Sequence, residues 1–370
     1  TSRMRKFAFR HPGSVTAAVF AVVALVAGAG AVMVQARRAA RARVPAERTS
    51  TFLQQILSAP DSRWYRAGRA NVRVADILDE AAARADTAFV DQPASEAMVR
   101  RTIGLTYDAL ARYDDAERQL RAALAIDQRI GSPALPDRVD DYRALGIVRW
   151  HKGDISGAES LDRHAVSLSN GKVADTAGTC FGAVNNLGVY LLTQGSPTAA
   201  EPYFTDALRR ARLRAANATA NVPGIALTLG NIGVTHLQRG DFRGAEPWFR
   251  QQLAIHAWAM AHGRELVEHP LALMNLSTVL LLEGRLAEAD SAAREARRST
   301  LRTGGGPDGQ LIVAETWSNS AEAFRRRGEL ASADTAIARA IEIIHTKPSP
   351  PPLYVARVEG EQGRLLIAEG

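Results

Sequence analysis

The strongest constraint on this chain of 370 residues is a repeat. Seven small residues, Gly104, Gly146, Gly188, Gly233, Ser277, Ala321 and Gly363, lie 42, 42, 45, 44, 44 and 42 positions apart, and similar sequence surrounds each of them. A fixed period in this range marks an array in which every copy is one supersecondary unit. Each unit reads as a helical hairpin. The residue before the anchor is apolar (Ile103, Leu145, Leu187, Ile232, Leu276), with Ser320 the exception, and the position three after it shares the same helix face. Seven after the anchor comes Gly153, Gly195, Gly240, Gly284, Gly328 and Gly370, with Ala111 in the first copy. Glycine there ends a helix in the left-handed conformation.

A second helix follows. Ser196 with Pro197 forms a cap and a first-turn proline. Twelve residues after the anchor stands alanine in six copies: Ala116, Ala158, Ala200, Ala245, Ala289 and Ala333. A methyl group is what fits where two helices approach closely. Bulk returns four residues on as Leu120, Phe204, Phe249 and Ile337, and a further alanine follows at Ala123, Ala165, Ala207, Ala296 and Ala340, with Gln252 departing. Strand signals are nearly absent and strong helix formers abound, so the expectation is an all-α fold. A single hairpin leaves one apolar face open, which stacking covers.

The order Leu-Gly, bulky residue, Ala, Phe, Ala resembles the tetratricopeptide repeat. The likeness covers residues 96–370, six repeats and the first helix of a seventh. The period exceeds the usual ~34; units of this length resemble those of kinesin light chains, with the extra residues in loops at 131–137, 303–309 and 347–352. The resemblance implies a superhelical α-solenoid that binds a protein or peptide on its concave side.

Asn186, Asn231, Asn275 and Asn319 each stand two residues before an anchor, at the edge of the buried stripe. An amide offers donors and an acceptor, and groove asparagines of kinesin-light-chain repeats contact cargo peptides. The resemblance assigns these four, and Asn185 beside them, to a peptide-binding groove. The first two copies have Thr102 and Ala144 there and place Arg101 and Arg143 one residue earlier, suited to a carboxylate. A second reading has the asparagines bonding neighbouring helices and fixing repeat geometry.

From Gly13 to Ala36 no residue is charged. As a helix this stretch would span about 36 Å, enough for a hydrocarbon core of ~30 Å. The expectation is a transmembrane helix over 13–36, behind a basic juxtamembrane segment 1–12 and before a linker with lead-in helices over 37–95. A signal peptide is the competing reading, since the small residues near Gly28–Ala31 suit a cleavage site. Arginine flanks both sides, so the positive-inside rule leaves orientation open. The formal charge of +7 is local: residues 1–48 carry nine basic side chains against Glu47 alone, and the rest is close to neutral. No nucleic-acid footprint is expected of it.

The order of Arg5, Lys6, Phe7, Arg10 and His11, an apolar span and long-period repeats is similar to the junction in bacterial receptor-type serine/threonine kinases, between the cytoplasmic kinase domain and a repeat-rich sensor region. The resemblance implies a single-pass membrane protein with repeats in the periplasm or otherwise outside the cytoplasm. The start at Thr1 agrees with a kinase domain upstream. A freestanding anchored or exported adaptor is the alternative.

No catalytic residue, cofactor or metal site is expected in this chain. The kinase signatures are missing. His256, His262 and His269 lack metalloprotease spacing and read as loop and helix-end histidines, with Gly263 and Pro270 breaking the helix around them. Cys180 has no basic neighbour in sequence and reads as a packing residue.

Overall fold

A computed structural model of the chain describes residues 74–131, 135–169, 180–217, 222–263, 269–303, 309–346 and 350–369. The basic segment 1–12, the apolar run 13–36 and the first part of the lead-in lie outside the described residues. Among the described residues no helix is long and apolar enough to cross a membrane, and there is no strand.

The chain divides into two compact units, Thr1–Ala134 and Leu135–Gly370. In the first, α1 (Val74–Ala88) packs on α2 (Pro93–Ala109), which pairs with α3 (Tyr113–Ile130). The second holds α4 (Leu135–His151) with α5 (Ile155–Ser169), α6 (Phe181–Thr193) with α7 (Pro197–Asn217), α8 (Val222–Gln238) with α9 (Phe242–Ala261), α10 (His269–Leu282) with α11 (Leu286–Thr303), α12 (Gly309–Arg326) with α13 (Leu330–Thr346), and then α14 (Pro352–Glu369). Prolines 136, 270 and 352 each fall in a first turn, where a missing N–H costs nothing. Pro270 therefore opens a helix, against the expectation that it breaks one.

The turn glycines adopt the expected conformation. Gly153, Gly195, Gly240, Gly284 and Gly328 have φ of +72 to +82°, and Ala111 takes the same place at +57°. The next N–H returns to the carbonyl five residues back, as Asp241 to His236 at 3.0 Å and Ser196 to Leu191 at 2.9 Å. This closes the first helix and reverses the chain. Asp154 and Asp241 then cap the second helix by accepting the N–H of Gly157 and Gly244. At Ser196 the backbone carbonyl, not the hydroxyl, takes the N–H of Ala199 and Ala200.

Four glycine anchors, Gly104, Gly146, Gly188 and Gly233, are small because the residue sixteen positions later lies against them. A Cβ on Gly104 would come within 2.8 Å of Leu120, one on Gly188 within 2.7 Å of Phe204, and one on Gly233 within 2.7 Å of Phe249. Where the anchor is Ser277 the opposing residue shrinks to Ala293, and the serine hydroxyl donates to the Ala289 carbonyl at 2.8 Å. The recurring alanines twelve after each anchor are fully buried. In the second hairpin the bulky position is Asp162, fully buried against Gly146.

In the second unit each second helix packs on its own first helix and on the first helix of the next hairpin. First helices also touch one another in sequence, α4 with α6, α6 with α8, α8 with α10, α10 with α12 and α12 with α14. First helices thus crowd along one side, as the inner wall of a stacked array requires.

Candidate functional site

The amide row is drawn largely into the protein. Asn231 donates to the Asn185 carbonyl oxygen at 2.9 Å, joining α8 to α6. Asn319 donates to the hydroxyls of Ser277 (3.3 Å) and Thr278 (3.1 Å), joining α12 to α10. Asn185 and Asn319 are both buried, Asn319 against the expectation of a place at the edge of the stripe, because these partners lie across the inter-hairpin seam. Asn186 donates to Asp162 at 3.3 Å. In α14 the equivalent position is Glu361, which Arg325 of α12 holds at 2.6 Å. Asn275 is the exception: it is half-buried, and its amide has no partner among the described residues.

The two arginines are placed differently from one another. Arg101 is engaged with buried Asp127 of α3 at 2.6 Å, so its charge is already answered. Arg143 reaches Asp140 only at 3.4 Å, while its aliphatic stem lies over Gly182, where a Cβ would come within 2.7 Å of its Cδ.

Behind Asn186, Asp162 accepts the Tyr190 hydroxyl at 2.6 Å, and its other oxygen has no partner among the described residues. Burial pushes the Asp162 carboxyl up to about 7, against the donors Tyr190 and Asn186 and the Arg143 charge, which pull it down. Two further side chains correct the sequence reading. His256 is not a loop or helix-end residue but a fully buried member of α9, with neither ring nitrogen bonded among the described residues, and burial aided by nearby His269 pushes it down to about 4. Cys180 does have a basic neighbour: the buried Arg210, thirty residues on, places Nη1 2.8 Å from Sγ. Among the described residues no group of three or more His, Cys, Asp or Glu could hold a metal ion.

What lies open on the first-helix side is a wall without formal charge. Helices α6, α8 and α10 contain no Asp, Glu, Lys or Arg. α10 is packed by α9, α11, α8 and α12, and between Leu271 and Leu282 only Leu271, Asn275 and Leu282 escape burial. Their spacing of four and seven makes one helix stripe. The same register on α8 holds Leu227, Asn231, Val234 and Gln238, and on α6 Gly182, Asn186, Val189 and Thr193, all exposed or half-buried. Leu227, Leu271 and Leu282 are exposed by 41, 39 and 47%. Charge returns in the bordering first helices, with Asp140 and Arg143 on α4 and Glu322 and Arg326 on α12. A separate cleft of about 740 Å³ on α11, α12 and α13, walled by Trp317 and Ile343, includes none of the row.

Sequence reasoning found the asparagines and missed the leucines. The signal was present: three consecutive first helices without a charged residue, two of which carry leucine six before the anchor and one of them leucine five after it as well.

Residues 182–213 and 225–257, the hairpins α6–α7 and α8–α9, match the tetratricopeptide repeat family. Solved structures extend the likeness over most of the chain. BtubC (BKLC) from P. vanneervenii is 18% identical, with a TM-score of 0.52 over 69% of this chain and 92% of its own. The apo form of RapI is 14% identical, with a TM-score of 0.54 over 74% and 94%. A Rap protein complexed with competence and sporulation factor is 13% identical, with a TM-score of 0.51 over 88% and 99%. The fold is a tetratricopeptide-repeat-like array of helical hairpins. A search of curated protein sequences found no match.

Proposed function

We propose that the repeats hold an extended segment of a partner protein along the wall formed by α6, α8 and α10. The observation that carries this reading is α10 itself. Four neighbouring helices bury it, yet it presents two exposed leucines and an unengaged amide in one stripe. Exposed apolar side chains beside a free hydrogen-bonding group suit recognition. Asn275 pairs with the backbone of the bound segment, while Asn185, Asn186, Asn231 and Asn319 keep adjacent hairpins in register. The likeness to a Rap protein that is seen with a bound factor favours this reading.

The finer assignment is a membrane-anchored module. Residues 13–36 form the anchor, the repeats lie outside the cytoplasm, and the chain is the sensor or scaffold part of a bacterial receptor-type serine/threonine kinase. The succession of basic stretch, apolar run and repeats supports it. An upstream reading frame with kinase signatures is the expected finding; a start codon just before Thr1 would instead indicate a freestanding adaptor.

The binding reading is tested by selecting a random-peptide display library on the full chain in lipid nanodiscs, then rescreening on a Leu271→Asp/Leu282→Asp variant. Enriched peptides are expected to lose binding to the variant while its melting temperature is unchanged. Binders indifferent to both substitutions would overturn the proposal.

A further inference from the structure

The wall also restricts what it will hold; this step rests on the binding reading above. Three first helices in a row carry no formal charge. Along most of the stripe the residues that meet a ligand are leucine, valine, threonine and amide; at its end Leu282 borders a cleft lined by Asp241, Arg243, Glu246, Glu283 and Arg285, where Arg285 is held by Glu246 at 2.8 Å and Glu283 at 3.2 Å. Arg143, which reaches the wall from α4, lays its methylene stem over Gly182 and turns its guanidinium toward Asp140. Its contribution at that point is apolar, as long cationic side chains commonly are along their stems. Arg326 on the far border is likewise occupied, donating to the Leu281 carbonyl at 2.6 Å and to Glu322.

A charged ligand residue laid on the surface between Gly182 and Leu271 would shed water and find no counter-charge, and that desolvation is unfavourable. An aliphatic side chain gains burial against Leu227 and Leu271. Asn275 supplies both donor and acceptor to a peptide unit, whatever side chain that unit carries. First helices of adjacent hairpins pack about 8–10 Å apart, so the wall spans roughly 20 Å from α6 to α10. At about 3.3–3.6 Å per residue, an extended chain covers it with about six residues.

We infer that the partner segment is a stretch of about six extended residues that is uncharged and bears aliphatic side chains, seated on Leu227, Leu271 and Leu282 and tied by its backbone to Asn275. Recognition is by apolar contact and main-chain bonding, with no electrostatic component.

The display selection described above supplies the probes. The wall-dependent peptides are synthesised with capped ends, and their affinities for the full chain are measured by calorimetry at 50 and 500 mM NaCl. Expected are uncharged aliphatic cores, affinities that change less than about twofold with salt, and losses of at least about tenfold when a core aliphatic residue becomes either Asp or Lys. Asn275→Ala should weaken every peptide to a similar degree, irrespective of its side chains. Peptides that need Leu271 and Leu282 yet carry essential charges, or lose affinity about tenfold in salt, would overturn this inference and leave the binding face intact. Peptides that ignore Leu271 and Leu282 would overturn both.

Discussion

Exchanging Gly233 for valine tests the packing rule that builds every hairpin. The ideal Cβ at this position falls 2.7 Å from Cε1 and 2.8 Å from Cζ of Phe249, a fully buried α9 ring in the core that α8, α9 and α10 share. Valine adds two more carbons to the same space, and a buried ring has nowhere to swing. Overpacking of this kind costs about 1–3 kcal/mol, and the upper end applies because the ring is enclosed. Phe249→Ala alone should cost about 3–5 kcal/mol through the cavity it leaves. Independent effects would sum to about 6–8 kcal/mol. The double variant should fall short of that sum by about 2–3 kcal/mol, because the valine methyls enter the space the ring vacates. The chain already contains such an exchange, since Ser277 faces Ala293. Urea unfolding followed by circular dichroism supplies the energies. Amide exchange in α8 and α9 shows whether the loss is local, as neighbour-coupled arrays allow. Additivity within about 0.5 kcal/mol would refute the complementarity.

Asp162 and His256 should give opposite pH slopes. The Asp162 carboxyl is raised from 3.8 to about 7 in the folded chain, so its contribution to stability falls as pH rises from about 4 to 7, by at most about 4 kcal/mol; Asp162→Leu should remove that slope and raise stability at pH 8, as read from urea midpoints. His256 is lowered from 6.5 to about 4, so stability should drop as pH falls through that interval, by at most about 3 kcal/mol, and His256→Leu should flatten the decline. Asn231→Ala should cost about 1 kcal/mol for the lost bond to Asn185, whereas Asn275→Ala should leave the melting temperature unchanged and weaken peptide binding. Ala111→Gly should stabilise the first unit by about 1 kcal/mol, because alanine there holds φ +57°, a gain visible in the thermal midpoint.

The hairpins were legible because period, turn glycine and close-approach alanine are local signals. Gly153 or Ala158 could be assigned from sequence alone. Partnerships across the seam were not, because residues 41 to 46 apart meet only after stacking: Asn231 finds Asn185 and Asn319 finds Thr278. The row was therefore visible as a row, while its use as stitching was not. His256 and Cys180 failed for the same reason, their surroundings coming from α10 and from Arg210 of α7. The leucines of the wall were hidden by a different effect. An apolar residue on an apolar helix gives no sign of being exposed, and only the burial of the residues between them, Asn275 apart, isolates Leu271 and Leu282.

The most direct measurement is thiol labelling of single cysteines at Leu271, Leu282 and Leu301, against a native Cys180 that is buried and silent. Leu301 lies on α11, away from the wall, and is 85% exposed. All three positions should label readily in the free chain. A wall-selected peptide at saturation should slow labelling at 271 and 282 by at least about tenfold and leave 301 unchanged. Labelling at 271 and 282 that is already as slow as at a buried position such as Leu276, or that a bound peptide does not slow, would contradict the wall as the binding face.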